Sequence, residues 1–331
     1  MSLVRKFYLL LVLSLSAAIN VIAQPLGNEW IDYSKTYQKI KVTQDGVYRI
    51  PFSTLNNISG LNLATTRGSD FILYHLGEVV PIYVSTNNFF GQNDFIEFYG
   101  KKNDGTLDKQ LYADPDKQQP NPYYSLFNDT AVYFLAWQTG NPRNIIGIAN
   151  DLTNLPAKET SCKQTALLQQ NAFFNAGRPY FLGNEGLYKA LFEAGEGFQG
   201  QINLINKNTP YTAAINTPGV INSGTAALRF GITGTSNTQH VTNVKFNNSN
   251  IWDTTYFSYS FNIKSFSVQQ SSLSASNNLT FTANGPGAAD NNTISFIEFI
   301  YNRDFNFNSS SYFLSKFQFW NLSFWLGHNS F

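Results

Sequence analysis

A chain of 331 residues in which aromatic side chains make up 16% and charged ones only 13% can bury a large core, which excludes the disordered class. Its formal net charge of +1 is spread without a basic cluster, so the long-range attraction needed for nucleic-acid binding is missing. A single cysteine, Cys162, rules out an internal disulfide, and three histidines (His75, His240, His328) with no HExxH pattern leave a zinc site little to work with, so no cofactor is expected.

In chain order, the first element is a leader. Arg5 and Lys6 precede an apolar run over residues 7–15 that grades into small side chains, and Val21-Ile22-Ala23-Gln24 offers signal peptidase a small residue at the cut. Cleavage is expected after Ala23, giving an exported protein. A membrane anchor fits less well, because the apolar run falls short of the roughly 20 residues that span a bilayer and Asn20 interrupts its end.

Strands separated by turns follow. Residues 37–42 alternate with period 2, Gln44-Asp45-Gly46 turns the chain and residues 47–50 return, which predicts a β-hairpin ended by Pro51. Further strands are expected at 71–75, 79–84, 95–99 and 131–137, with a polar, proline-rich surface loop over 114–122. The apolar pattern lapses near residues 154–158, where a domain boundary is expected. Two short helices are expected at 165–170 and 186–192, both rich in helix formers. Strand patterns resume at 201–205, 226–231, 240–246, 256–263, 279–283 and 295–301. The stretch over 317–326 is apolar and lacks a polar cap, the pattern of a domain truncated at its end.

The expected fold class is therefore all-β: two antiparallel β-sandwich or jelly-roll-like domains, residues 28–155 and 160–331, behind a signal peptide at 1–23.

Several segments also carry a family likeness. Gly27-Asn28-Glu29-Trp30-Ile31-Asp32-Tyr33, the strand pair around Asp45-Gly46, Asp94-Phe95-Ile96-Glu97-Phe98-Tyr99-Gly100 with Asn103-Asp104-Gly105, and Asn121-Pro122-Tyr123-Tyr124 with Asp129-Thr130-Ala131 resemble the N-terminal region of gingipain-like (C25 family) cysteine peptidases. That group includes sortase-like proteins of the Bacteroidetes type IX secretion system. Weaker echoes occur at Gly195-Glu196-Gly197-Phe198, at His240-Val241 and at Tyr301-Asn302-Arg303-Asp304-Phe305. The resemblance implies a non-catalytic scaffold or docking region placed before a caspase-like peptidase domain. It further implies that domain or secretion-system components as partners, and residence in the periplasm, at the outer-membrane surface or outside the cell. The family's His and Cys dyad lies beyond the matched region, so no catalytic residue is carried over.

The residues themselves agree with that expectation. A thiol peptidase needs a thiolate and an imidazole within hydrogen-bond reach. Pairing Cys162 with His240 reverses the family's order, and pairing it with His75 crosses the expected boundary, so Cys162 is read as an ordinary thiol. Residues 195–200 match GxGxxG, yet the expected helix before and strand after invert the order a dinucleotide site requires. Asn103, Asp104 and Asp108 place oxygens on one turn but are read as a hairpin corner rather than a calcium site. His75 and Glu97 are read as outward-facing strand residues. Trp30, Trp137 and Trp252 supply the alternative function, an exported carbohydrate-binding module that stacks a surface glycan on exposed rings.

Overall fold

The computed structural model describes residues 27–138, 158–287 and 289–306, with backbone alone for residues 317–319 and 322–324. The expected leader at 1–23 and most of the expected boundary, residues 154–157, lie outside the described residues. The chain divides into two compact units, one of residues 1–41, 49–98 and 132–146, the other of residues 42–48, 99–131 and 147–331.

Seven strands build the first region: β1 Tyr37–Val42, β2 Gly46–Pro51, β3 Phe71–His75, β4 Glu78–Val80, β5 Tyr83–Val84, β6 Phe95–Gly100 and β7 Ala131–Trp137. They form two sheets, ordered β1-β7-β3-β4 and β2-β6-β5. The expected hairpin between β1 and β2 therefore does not form, although both strands do. Asp45 explains the difference, because its carboxylate accepts the Lys102 main-chain N–H at 2.8 Å, while the Tyr48 hydroxyl donates to the Gln44 carbonyl at 2.9 Å. These bonds hold the connection as an arch from one sheet to the other. The single strand expected at 79–84 is likewise two, split at Pro81, which has no N–H to continue a ladder. Period-2 burial closes the sheets over a core containing Phe71, Leu73, Ile96 and Leu135, and the rings of Phe98 on β6 and Tyr133 on β7 meet at 5.3 Å.

The second unit holds β8 Cys162–Gln169, β9 Phe173–Asn175, β10 Tyr180–Leu182, β11 Glu185–Leu187, β12 Gly197–Gln199, β13 Tyr211–Asn216, β14 Thr225–Gly234, β15 Gln239–Phe246, β16 Ser249–Phe257, β17 Phe261–Gln269, β18 Ser276–Ala283 and β19 Asn292–Arg303. A short ribbon, β20 Phe317–Phe319 with β21 Leu322–Phe324, ends the described chain. Two four-stranded antiparallel sheets, β13-β18-β15-β16 and β17-β14-β19-β8, make a sandwich. Its core is Leu228, Phe230 and Ile232 of β14, Leu279 and Phe281 of β18, and Ile294, Ile297, Phe299 and Tyr301 of β19. Phe230 sits at the centre, edge-on to Phe281 at 5.0 Å and stacked on Phe266 at 5.8 Å.

Four expectations fail here. Of the helix expected at 165–170, residues 165–169 are strand: Ala166 and Leu168 alternate inward in the ladder with β19, and that tertiary ladder outweighs helix propensity. Residues 185–187 are also strand, the second leg of a hairpin. The run expected at 256–263 spans a turn between β16 and β17, where Ser258 adopts φ +58°, and the strand expected at 201–205 is instead displaced upstream to β12.

Candidate functional site

Cys162 opens β8 opposite Arg303. Desolvation by burial pushes its thiol up, against the pull of the Arg303 guanidinium, so the thiol is less ionised than a free cysteine, the reverse of what a nucleophile requires. The structure does not bring His240 to it. His75, in the first unit, stacks on Tyr133 with ring centroids 4.1 Å apart and its Nδ1 lies 3.0 Å from the Val132 carbonyl oxygen.

His240 has other partners, which sequence reasoning missed. Fully buried at the start of β15, it points Nδ1 at Asp290 Oδ1, 2.7 Å away, and Nε2 at the main-chain oxygens of Ser236 and Ser258, each 3.0 Å away. Both ring nitrogens face oxygens that can accept. Asp290, also fully buried, accepts in addition from Asn292 Nδ2 at 2.9 Å and from the Gly285 N–H at 2.6 Å. The Tyr256 hydroxyl donates to Asn292 Oδ1 at 2.6 Å, and burial pushes that phenol well above its usual range. A serine, a histidine and an aspartate thus meet, but not as a hydrolytic triad. Ser236 offers the imidazole its carbonyl, while its hydroxyl donates to the Ala289 carbonyl oxygen, so no hydroxyl stands ready for activation. The cluster ties together the segments that contain Ser236, Ser258, Gly285 and Asp290.

The other sequence candidates also find structural partners. Asp104 accepts the Thr106 N–H and Asp108, buried, accepts the Leu126 N–H, each at 2.8 Å. Among the described residues no group of three or more His, Cys, Asp and Glu could hold a metal. Glu97 does not stand alone on its strand: it pairs with Arg49 at 2.8 Å. The GxGxxG stretch contains β12, paired with β9, and Gly195 and Gly197 take φ +81° and +142°. Trp30 packs among Tyr37, Tyr74 and Phe134, and Trp252 packs beside Phe230 with the Lys264 ammonium 5.3 Å from its ring, both half-buried. Trp137 ends β7 opposite Phe71, half-buried.

Exposed apolar side chains sit on the hairpin β10–β11 and just beyond it. Register places Phe181 opposite Gly186 on one face and Leu182 opposite Glu185 on the other, so the two apolar side chains at the tip point opposite ways. Both are 73% exposed, and Leu191, just beyond the hairpin, is 80% exposed. Gly183 at φ +62° makes the tight turn possible.

Against solved structures, this fold aligns with dimeric latent PorU from Porphyromonas gingivalis at a TM-score of 0.53, with 14% identity, over 82% of this chain. The likeness is one of fold. The chain spans about a quarter, 25%, of the length of that PorU chain. Two carbohydrate-binding modules align more shallowly: a CBM36 in complex with calcium and xylotriose (TM-score 0.25, 7% identity, 40% of this chain and 98% of that one) and the CBM35 from Cellvibrio japonicus Abf62 (TM-score 0.25, 13% identity, 43% and 99%). At that TM-score neither supports an inference. No family model and no curated protein matches the chain.

Among the described residues no helix is long and apolar enough to cross a membrane.

Proposed function

We propose that this chain is a non-catalytic scaffold or docking region of an exported, gingipain-like cysteine peptidase linked to type IX secretion. The observation that carries the reading is the fold likeness to PorU over 82% of the chain. The signal-peptide pattern at 1–23 supports an exported location, and the raised thiol of Cys162 supports a role without peptide cleavage. The hairpin β10–β11, apolar on both faces, is the element suited to contact a peptidase domain or a secretion component, since a two-stranded ribbon gains stability by packing on something else. The test is a peptidase assay on residues 24–331 with Arg, Lys and mixed peptide substrates. No turnover is expected, and turnover abolished by Cys162→Ala would refute the proposal. Glycan-array binding lost on Trp137→Ala, with the fold retained, would favour a carbohydrate-binding module instead.

A further inference from the structure

The outer face of the hairpin β15–β16 carries a set of side chains that the docking reading leaves unused. Asp253, Thr255 and Phe257 alternate outward along β16, opposite Asn243, Val241 and Gln239 of β15, while Tyr256 between them is buried. In a regular strand Asn250, three positions before Asp253, would face the opposite way. A β-bulge re-aims it. Val244 pairs with Trp252 and Lys245 with Asn250, so Ile251 is an extra residue and Asn250 comes round to the face of Asp253. The three polar side chains then close on one another. Asn243 Nδ2 donates to Asp253 Oδ1 and to Asn250 Oδ1, each at 2.6 Å, and Asn250 Nδ2 donates to Asp253 Oδ2. These bonds hold the Asp253 carboxyl below its ordinary value, so it stays ionised.

Asn250 and Asp253 are exposed, and Phe257 leaves 61% of its surface to water, so the arrangement does not serve the core. It is fixed before any ligand arrives, and it keeps bonding capacity in reserve. Asn243 Oδ1 and the remaining lone pairs of Asp253 can accept, and the second N–H of Asn250 can donate. The surroundings select the partner. The Asp253 carboxylate repels an anionic polymer, and Lys245, opposite Asn250, offsets its pull on a cationic one. Farther across the same sheet face, the partners of Asn243 and Lys245 on β18 are Thr282 and Thr280, so hydroxyls continue the amides. A neutral ligand with many hydroxyls and an apolar flank fits this surface: one hydroxyl donates to Asp253 and accepts from Asn250, while a C–H face packs on the Phe257 ring. Asp253 and Phe257 are four positions apart, about 13 Å along an extended strand, which is longer than one sugar ring. We propose that the outer face of β15–β16 binds a neutral oligosaccharide, with Asn243, Asn250 and Asp253 gripping hydroxyls and Phe257 stacking on a ring. The site uses neither the hairpin β10–β11 nor Trp137, so it goes beyond the docking reading and its failure would leave that reading untouched.

Native gels cast with a soluble xylan, mannan or β-glucan test this, one polysaccharide to a gel. The protein is expected to be retarded by at least one of them relative to a plain gel. Titration calorimetry with the retarding polysaccharide then gives the affinity. Phe257→Ala and Asp253→Ala are each expected to weaken it about tenfold, the worth of one stacked ring or of one or two hydrogen bonds, whereas Trp137→Ala is expected to leave it unchanged. No retardation by any of the three, retardation by the anionic polygalacturonate alone, or binding by both variants as tight as the parent's would each overturn the proposal. Circular dichroism checks that the variants keep the fold. Should Asp253→Ala lose it, Phe257→Ala decides, since that ring lies mostly in water.

Discussion

Substituting Asp290→Asn isolates the buried clasp. The carboxylate lies 2.7 Å from His240 Nδ1, 2.9 Å from Asn292 Nδ2 and 2.6 Å from the Gly285 nitrogen, with no exposure to water. An asparagine of the same shape keeps one acceptor oxygen and turns an NH2 toward a group that already donates. Leaving a buried donor without its acceptor costs about 1 to 3 kcal/mol for each group stranded. Whole domains are stable by about 5 to 15 kcal/mol, so a large share of the second unit's margin should go. Urea unfolding followed by circular dichroism gives the total, and hydrogen exchange at the Gly285 and Val241 amides reports locally on the three loops. A loss below about 1 kcal/mol, with those amides as protected as before, would refute the view that the cluster holds the loops together.

Further outcomes are expected elsewhere. Phe230→Ala removes the fully buried ring between Phe281 and Phe266 and should destabilise the protein by about 3 to 5 kcal/mol in urea unfolding. Burial raises the Glu196 carboxyl above its ordinary value, so the folded state binds more protons than the unfolded one and stability falls as pH rises from the unfolded carboxyl value of about 4.3 through the folded one. Glu196→Gln should therefore match the parent in thermal unfolding at low pH and exceed it increasingly as pH climbs toward neutrality. Asn247 and Asn248 turn the β15–β16 hairpin with φ +47° and +69°, so Asn247→Val should cost about 1 to 2 kcal/mol by thermal unfolding, whereas Asn248→Gly should be tolerated.

Strands were legible in the sequence wherever one face met a core and the other met solvent, as in β3, β6, β7, β15 and β18. Their partners were not. The period-2 signal around Asp45-Gly46 is the same whether the chain folds back within one sheet or arches to the next, and the choice rests on Lys102, far along the sequence. In β8 the inward Ala166 and Leu168 flank the half-exposed Leu167, and three consecutive apolar residues hide the alternation. The candidate sites were harder still. The partner of His240 is illegible in the sequence, because a carboxylate 50 positions away gives no local pattern.

The sheet orders bear on when the chain can fold. β1 must wait for β7, and β8, with Cys162 opposite Arg303, must wait for β19, the last strand of the sandwich. Ladders closed between such distant segments form late and slowly. A polypeptide emerging from its N-terminus, as it does during synthesis, would then keep both ladders open until most of the second sheet system had been made.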